Sequence, residues 1–452
     1  MTIQEIETYI KQHPSGKVKL AAADIDGILR GKYLSVEKFN ASLKDNLGFC
    51  DVVFGWDSND LAYENTPFTG WHTGYPDMPL KLDLNTFRKI PWEQDVPFFL
   101  GEFSAADGTP SPVCPRQLLK KVIHESRQLG FEPFFSQEFE WFNFAETPDS
   151  LQQKKYQAPQ PMTPGMFGYS ILRSTLKNDF ISDLFDLLGR FNVPLEGLHT
   201  ETGPGVYEAA IVYSDALEAA DRATLFKTAV KEIAYKHGLM ASFMAKWNEQ
   251  LPGCSGHVHQ SLWNMETRKN VFYDRDEKQK MSALMKQYIA GQLYCLPYIL
   301  PMLAPTINSY KRLVEGAWAP TTLTWGMDNR TVALRVLVGS EKSSRLETRV
   351  VGSDTNPYLA IAACLAAGLY GIKKGLHLEQ PATLGNGYTD YSNGIMPGNL
   401  LEATAQMRQS TVAKELFGET FVDHFCRTRE WEWQQFAKAV TDWELKRYFE
   451  II

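Results

Sequence analysis

The stretch Ser343–Asn356, S-S-R-L-E-T-R-V-V-G-S-D-T-N, decides how the rest of the chain is interpreted. If it forms a strand, Glu347 and Arg349 share one face while Thr348 points to the other. An acid and a base side by side, with Arg345 just before them, suggest a site that binds a cation and an anion together. Metal-bound phosphate has this chemistry. Most such pairs are solvated faces or structural ion pairs, so the prediction depends on other stretches with the same pattern.

Length and composition are those of an ordinary globular protein. The chain has 452 residues, 44% hydrophobic and 22% charged, and this length suits roughly two or three domains. Its formal net charge of -7, with acids and bases interspersed, argues against a nucleic-acid surface. The first residues lack the basic and apolar segments of a secretory signal. The 6 cysteines show no C-x-x-C spacing, which predicts reduced thiols in a cytoplasmic protein.

Local patterns predict a mixture of strands and helices. Val18–Ile25, followed by Asp26-Gly27, predicts a hairpin, and Val96–Phe103 resembles another strand. The longest apolar stretch, Tyr358–Ile372, is too short for a membrane span and predicts a buried helix. Two helical segments are predicted near the end, from about Leu400 and from about Phe421. Three prolines mark the predicted boundary between domains 1–112 and 113–452: Pro110, Pro112 and Pro115. A helix is predicted to begin after the last of them.

Two stretches bring carboxylates together. F-F-S-Q-E-F-E-W-F-N-F places Glu138 and Glu140 on one strand face, where they repel unless they face open water or a cation lies between them. L-H-T-E-T-G-P-G-V-Y-E places His199 and Glu201 on one face, and the Gly-Pro-Gly turn returns the chain so that Glu208 approaches them.

Two further stretches supply histidines and arginines. G-C-S-G-H-V-H-Q-S-L places His257, His259 and Ser261 on one face, and a zinc site is disfavoured because no cysteine or third histidine completes the set. Arginines in an otherwise largely apolar stretch usually meet a carboxylate or phosphate, although pairing with the chain's own acids is the alternative. The arginines of this kind are Arg312, Arg330 and Arg335.

Taken together, these side chains favour a magnesium or manganese site. Hard oxygen donors with one imidazole suit Mg²⁺ or Mn²⁺ better than Zn²⁺ or Cu²⁺. Roughly two or three such ions would neutralise the acids, and the arginines would meet the phosphates that the ions hold. The chain has neither a P-loop nor a Rossmann glycine pattern, so a nucleotide would be held by metals and side chains. The predicted donors are Glu138, Glu140, Glu201, Glu208, Glu347 and His257.

The chain resembles the glutamine synthetase family, of the bacterial type I length, from about Val18 to Asp442-Trp443-Glu444. The motifs are E-x-E, E-x-G-P-G-x-x-E, H-x-H-Q-S-L, N-S-Y-K-R-L, N-R-x-x-x-x-R and R-x-E-x-R, in the family's order. The resemblance implies an α+β fold, with a small N-terminal β-grasp domain and a larger catalytic domain whose curved antiparallel sheet is flanked by helices. It also implies two stacked rings, commonly a homododecamer, with active sites between neighbouring subunits, and the sequence leaves ten or twelve subunits open.

The resemblance also assigns roles to individual residues. The ligands of the first metal correspond to Glu140, Glu201 and Glu208, and those of the second to Glu138, His257 and Glu347. The groups that hold glutamate correspond to Arg312, Arg349 and Gly253. The arginine that meets the transferred phosphoryl group corresponds to Arg330. The positions that bind ATP correspond to Tyr213, His259, Ser261, Arg335, Lys342 and Arg345.

One departure from the family's pattern bears on the nucleophile. Glutamine synthetases phosphorylate the γ-carboxylate of glutamate and then let ammonium displace phosphate. A glutamate after N-S-Y-K-R-L closes over their site and accepts the ammonium proton, but that position here is Trp318, whose indole cannot accept it. Glu315, three residues earlier, could substitute only if the loop were rebuilt. Two smaller departures are the missing asparagine before Gly253 and Val206 in place of a glutamine.

We therefore predict a ligase that joins glutamate to an organic primary amine, such as a methylamine, an ethanolamine or a polyamine. An aromatic surface at the amine entrance favours a nucleophile that carries carbon. One alternative is a true glutamine synthetase that tolerates Trp318. Another is a non-catalytic structural or regulatory homologue, which the retained metal-ligand positions and Arg330 argue against. Asp57 and Asp60 lie in the region of the family's N-terminal contact to ammonium, and the motifs do not assign that contact to either residue.

Overall fold

The first hundred residues form a mixed sheet with two helices. The structure is a computed structural model and describes residues 2–45 and 47–452. The elements are α1 (Ile3–Gln12), β1 (Lys17–Ala23), β2 (Leu29–Ser35), α2 (Val36–Asp45), β3 (Leu47–Cys50), β4 (Asp77–Ile90) and β5 (Val96–Phe103). The five strands lie in the order β2-β1-β5-β4-β3. Strands β1 and β5 run parallel at the centre, and the other neighbours are antiparallel, as the β-grasp prediction requires.

The predicted hairpin between β1 and β2 is confirmed. The strands pair from Lys17 with Ser35 to Ala23 with Leu29. Asp24 closes the turn by accepting the backbone N–H of Ile28 at 2.9 Å, and the turn includes a glycine, Gly27, with φ of 80°. The strand predicted over Val96–Phe103 is confirmed with the same bounds.

A second, larger sheet follows. The elements are α3 (Pro115–Gln128), β6 (Phe131–Phe144), α4 (Pro148–Gln153), α5 (Ile171–Thr175), α6 (Asn178–Arg190), β7 (Leu195–Thr200), β8 (Val206–Ile211), β9 (Ser214–Asp215), α7 (Ala216–Lys236), β10 (Met240–Ser242), β11 (Val258–Asn264), α8 (Ala283–Leu303), α9 (Ser309–Arg312), β12 (Trp325–Met327), β13 (Leu334–Leu337), β14 (Arg345–Thr348) and α10 (Pro357–Lys373). The nine strands follow the order β12-β13-β14-β11-β6-β8-β7, with β9 and β10 also paired to β6. The sheet is curled, and its neighbours are antiparallel except for β12 and β13.

Helices cover one face of this sheet. On β6, Phe139 and Trp141 are fully buried and pack on Phe226 of α7, with ring centroids 5.7 and 5.6 Å apart. Helix α10 is buried along most of its length, as predicted, and begins where Asn356 caps its first turn. Because side chains alternate along a strand, Glu138 and Glu140 project from the opposite face.

The C-terminal part of the chain holds more helices than the sequence predicts. Four helices replace the two predicted segments: α11 (Leu400–Gln409), α12 (Thr411–Phe417), α13 (Glu419–Lys438) and α14 (Asp442–Tyr448). Ser410 caps α12, Gly418 with φ of 90° separates α12 from α13, and Thr441 forms a capping box on α14. These local backbone interruptions do not alter the apolar periodicity, which explains why the prediction was wrong.

The predicted α+β class is confirmed, whereas the domain division at residue 112 stays a prediction. Among the described residues, no helix combines the length and the apolar character needed to cross a membrane.

Candidate active site

A first group of acids lies on strands β6, β8 and β7. Glu140 pairs with Glu208, and Glu208 pairs with His199, so all three side chains point to one face of the sheet. Nε2 of His199 lies 3.2 Å from Oε1 of Glu201 and 3.7 Å from Oε2 of Glu208. Ligand atoms of His199, Glu201 and Glu208 lie within 4.8 Å of one another, which is close enough to share a cation.

A second group crosses strands β6, β11, β14 and β13. His259 pairs with Glu347, and Glu347 pairs with Arg335. Oε1 of Glu138 lies 2.9 Å from Nδ1 of His257, and its Oε2 lies 3.3 Å from Nε2 of His259. Ligand atoms of Glu138, His259 and Glu347 again lie within 4.8 Å of one another.

Each group contains the predicted ligands and one further histidine. In the second group, His257 Nδ1 lies 2.9 Å from Glu138 Oε1 and 3.4 Å from Glu347 Oε1, and His259 is the further histidine. In the first group, Glu140 pairs with Glu208 across the strands, and His199 is the further histidine. One oxygen of Glu140 accepts the backbone N–H of Ser255 at 2.8 Å. The predicted acids are therefore brought together, and their individual roles stay a prediction.

The electrostatics of both groups fit bound divalent ions. Burial and then the carboxylates of Glu138, Glu140 and Glu201 raise the pKa of Glu208 to about 10. Burial raises the pKa of Glu140 to about 7. Within the described chain, Nε2 of His257 is buried without a hydrogen-bond partner. Crowded carboxylates together with an unpaired imidazole nitrogen form a donor set that a hard divalent cation would satisfy.

Two cavities meet at these groups. A cavity of about 640 Å³ is lined by both groups and by the predicted residues Gly253, Trp318, Arg330, Arg335, Arg345 and Arg349. A second cavity of about 430 Å³ is lined by predicted nucleotide-binding residues, namely Tyr213, His259, Ser261, Lys342 and Arg345. Glu138, His259 and Arg345 line both cavities, so this boundary is where a phosphate chain would reach the acids.

The predicted arginines differ in how deeply their side chains are buried. Arg330 is exposed on the wall of the larger cavity. Nε of Arg349 donates to the carbonyl of Arg330 at 3.1 Å, and its guanidinium also contacts Glu347. Arg312, predicted to hold glutamate, is only 2% exposed and does not line this cavity. It donates to Ser255 Oγ at 3.1 Å and to the carbonyls of residues 349 and 350 at 3.1 and 2.9 Å. Arg312 therefore stabilises residues that line the cavity without lining it itself.

Trp318 lines the larger cavity. It has φ of 56°, and 59% of it is exposed. Tyr169 also lines this cavity, and its ring stacks on His199 with centroids 4.3 Å apart. The other apolar residues of the lining are Val206, Pro252 and Ala317. Among the described residues that line this cavity, the only carboxylates are Glu138, Glu140, Glu201 and Glu208, all within the two groups above.

The N-terminal acids considered for ammonium binding are engaged within the chain. Asp57 is buried and accepts from Nε1 of Trp431 at 3.0 Å. Asp60 accepts from Nη1 of Arg30 at 2.8 Å. Neither residue lines the larger cavity.

The sequence analysis overlooked aromatic residues beside the nucleotide positions. Phe134 lies 6.2 Å from Tyr213 and 5.7 Å from Trp263 between ring centroids. Nε1 of Trp263 donates to Oγ of Ser261 at 3.0 Å. Alternation would have identified both residues, because Phe134 precedes Glu138 by four positions on β6 and Trp263 follows Ser261 by two on β11.

Comparisons with known proteins identify the family to which the chain belongs. Residues 112–448 match the family described as glutamine synthetase, catalytic domain. Type-1 glutamine synthetase 2 of Dictyostelium discoideum is 56% identical over 446 residues, 98% of this chain and 85% of that protein. Glutamate–isopropylamine ligase of a Pseudomonas species is 36% identical over 453 residues, 100% of this chain and 98% of that protein. The solved structure of GmaS without ligand covers 98% of this chain and 99% of its own, with a TM-score of 0.85 and 25% identity.

A curled sheet with acids, histidines and arginines around one cavity, together with these relatives, defines an ATP-dependent ligase that forms carbon–nitrogen bonds. The chain belongs to the glutamine synthetase family. Enzymes of this family use ATP and divalent metal ions, and glutamine synthetases are oligomeric. The predicted resemblance is therefore confirmed.

Proposed function

We propose that the protein joins the γ-carboxylate of glutamate to an organic primary amine, with hydrolysis of ATP to ADP and phosphate. Trp318 is the observation that carries this proposal. By the resemblance, Trp318 corresponds to the proton-accepting glutamate of a glutamine synthetase, and it lines the larger cavity together with Tyr169, Val206 and Pro252. An amine that carries carbon would gain contact with such apolar side chains, whereas ammonium would not.

The two acid groups are suited to hold the cations that this reaction needs. The predicted acids with His257 and His259 would bind roughly two or three ions of Mg²⁺ or Mn²⁺, which offset negative charge on a transferring phosphoryl group. Arg330 is exposed on the cavity wall, where its guanidinium would meet that phosphoryl group. The base and phosphates of ATP would lie along Tyr213, His259, Ser261, Arg335, Lys342 and Arg345.

Arg349 and Gly253 would hold glutamate, with Arg312 supporting them. A side chain on Gly253 would come within 2.5 Å of the carbonyl of Ala245 and within 2.8 Å of Arg312, so only glycine fits this position. Arg312 bonds the carbonyl of Arg349, and this bond helps to orient the Arg349 backbone. The substrate would thus contact Arg349 directly and depend on Arg312 indirectly.

We also propose the ring assembly that the resemblance implies, with sites completed by a neighbouring subunit. Apolar side chains on and after α14 support contact with another copy, because Trp443 is 59%, Phe449 84% and Ile452 93% exposed. Light scattering together with negative-stain images of the protein would test this, and a monomer in solution would contradict it.

The alternative is glutamine synthesis from ammonium. The name of the 56% identical Dictyostelium protein favours this alternative. Glu201, one of the four carboxylates that line the larger cavity, would be a candidate for the proton acceptor. Under this alternative, Trp318 would be a tolerated substitution that leaves ammonium the preferred nucleophile.

Phosphate release with a panel of nucleophiles tests the proposal. The protein is assayed with glutamate, ATP and Mg²⁺ or Mn²⁺, and the nucleophile is ammonium, methylamine, ethanolamine, isopropylamine, aniline or putrescine. We expect kcat/KM for at least one organic amine to exceed that for ammonium about tenfold or more, the discrimination that an apolar surface of this size provides. Ammonium as the best substrate would contradict the proposal. A protein that binds no ATP in the presence of metal would be a non-catalytic homologue.

A further inference from the structure

Two carboxylates flank the Arg335 guanidinium. Nη1 of Arg335 donates to Oε2 of Glu347 at 2.9 Å, on the buried side. Its Nε and Nη2 both donate to a single oxygen, Oδ1 of Asp328, at 3.0 and 2.5 Å. The Glu347 side chain has no exposed area, whereas that of Asp328 is 70% exposed. Arg335 lines the larger cavity, and the edge of its guanidinium formed by Nε and Nη2 is therefore occupied by a solvent-exposed acid.

The backbone holds Asp328 in this position. Asp328 follows β12 directly, has φ of 46°, and donates its N–H to the carbonyl of Val336 at 2.9 Å. The side chain of the next residue, Asn329, donates hydrogen bonds to the carbonyls of Thr383 and Gly385 at 3.2 and 2.8 Å. Aspartate and asparagine tolerate a left-handed conformation better than most residues. These bonds hold the turn in a conformation that directs the Asp328 carboxylate toward Arg335. The turn does not depend on its contact with Arg335.

We propose that Asp328 is an internal competitor for nucleotide phosphate at Arg335. Its oxygen accepts the same pair of N–H groups that a phosphate oxygen would accept. ATP therefore displaces Asp328 from Arg335, while the buried bond to Glu347 remains. Ion pairs with an exposed partner contribute little stability, so this exchange is easy, and the released carboxylate continues to repel the phosphates. The inference rests on the proposed function because it takes Arg335 to meet a nucleotide phosphate.

A different role for Asp328 makes the opposite prediction. If Asp328 served to orient Arg335 for the nucleotide, its removal would weaken nucleotide binding. If Asp328 competes, its removal strengthens binding. The direction of the change therefore separates a competitor from a positioning residue.

Nucleotide binding by two variants tests the inference. Asp328→Asn keeps the left-handed preference and removes the charge, and Asp328→Gly removes the side chain where φ suits glycine. Binding of ATP and ADP with Mg²⁺ is measured by calorimetry on the full-length protein. We expect both variants to bind ATP about two- to fivefold more tightly, the range expected for an exposed charge. In steady-state assays the KM for ATP falls, while the KM for glutamate stays unchanged.

A matched control and two outcomes complete the test. Asp276→Asn makes the same charge change at an exposed residue that forms no ion pair among the described residues, and it should leave ATP affinity unchanged. Unchanged or weaker ATP binding by both Asp328 variants would overturn the inference and leave the proposed function intact. Absence of metal-dependent nucleotide binding by the unsubstituted protein would overturn both.

Discussion

The two walls of the larger cavity are built in different ways. The acid face, which carries Glu138, Glu140, Glu208 and Glu347, is held by strand pairing in the second sheet. The Trp318 segment, residues 314–324, belongs to a connection between α9 and β12 and rests on a second connection, residues 383–396. Three hydrogen bonds of 2.7 to 3.0 Å join the two connections: Leu323 N to Gly394 O, Met396 N to Thr321 O, and Thr322 Oγ1 to Gly387 O.

This difference separates the phosphate chemistry from the choice of nucleophile. Glu138, Glu208 and Glu347 each contact a histidine of the two groups, so one substitution disturbs several neighbours. The three bonds that join the Trp318 segment to the second connection involve the backbone or Thr322, and the side chain of Trp318 takes no part in them. The fold can therefore accept another residue at position 318 without losing its support. We infer that the reaction class is set on the sheet and the amine preference on the connection.

The largest effect is expected on the acid face. Replacing Glu208 with Gln removes one cation ligand and keeps the shape of the side chain. We expect kcat to fall at least about a hundredfold, as for loss of a group that stabilises transition-state charge, and to fall equally with ammonium and with any amine. Because burial and neighbouring acids already raise the pKa of Glu208 to about 10, the metal-free variant should be as stable as the unsubstituted protein.

A substitution on the same strand system provides the control. Glu132 lies at the outer end of β6 and pairs with Arg127 at 2.8 Å, outside both acid groups. Glu132→Gln should change kcat less than twofold, as expected for an exposed ion pair. A Glu208→Gln variant that keeps full activity would show that the acid face does not hold the catalytic cations.

Addition of metal should raise the unfolding temperature of variants that keep the acid face intact and raise it less when an acid is removed. Binding of Mg²⁺ or Mn²⁺ to the folded protein stabilises it by about 2.7 kcal/mol when the ion is at roughly a hundred times its Kd. We expect thermal unfolding, followed by calorimetry, to shift upward with Mn²⁺ in the unsubstituted protein and in a Trp318→Phe variant. The shift should be much smaller in Glu208→Gln. An equal shift in all three proteins would place the bound ion elsewhere.

How well the sequence predicts each region depends on whether the interactions are local. On β6, alternation alone places Glu138 and Glu140 opposite Phe139 and Trp141, because a period of two holds whatever the partner strand is. The same rule would have identified Phe134 and Trp263. The choice between His257 and His259 is harder. β11 begins at Val258, so His257 precedes the strand and local backbone geometry directs its ring.

Contacts between distant segments escape such rules. The burial of Arg312 depends on the carbonyls of residues 349 and 350, and no pattern around Arg312 reveals them. The Asp328–Arg335 contact joins a left-handed turn to a neighbouring strand, and Asp328-Asn329 predicts a turn without revealing which side chain the aspartate contacts. The family resemblance supplies the acid groups and the order of the elements, because its motifs occur where strands pair. It does not reveal which arginines reach the cavity.

A substitution at Trp318 should change the preference for the nucleophile without changing nucleotide binding. Trp318→Glu restores a proton acceptor at this position and removes one of the apolar side chains that line the cavity. We expect the ratio of kcat/KM for the best organic amine to that for ammonium to fall about tenfold, the typical effect of a local change in an apolar pocket. Trp318→Phe, which keeps an aromatic ring, should retain the preference. An unchanged ratio in Trp318→Glu would mean that other residues select the amine.

The smallest effect is expected beneath the Trp318 segment, at Tyr388. Its side chain is buried, and its hydroxyl faces the backbone of Trp318 without forming a hydrogen bond of normal geometry in the described part of the chain. Tyr388→Phe should therefore change the free energy of unfolding by no more than about 0.5 kcal/mol and kcat/KM for the amine by less than twofold. The same substitution at Tyr358, whose hydroxyl donates to Asp221 at 2.6 Å in the core, should cost about 1–3 kcal/mol. Chemical denaturation of the two variants compares them directly. A larger loss in Tyr388→Phe than in Tyr358→Phe would show that a specific hydrogen bond, and not backbone pairing alone, supports the connection that carries Trp318.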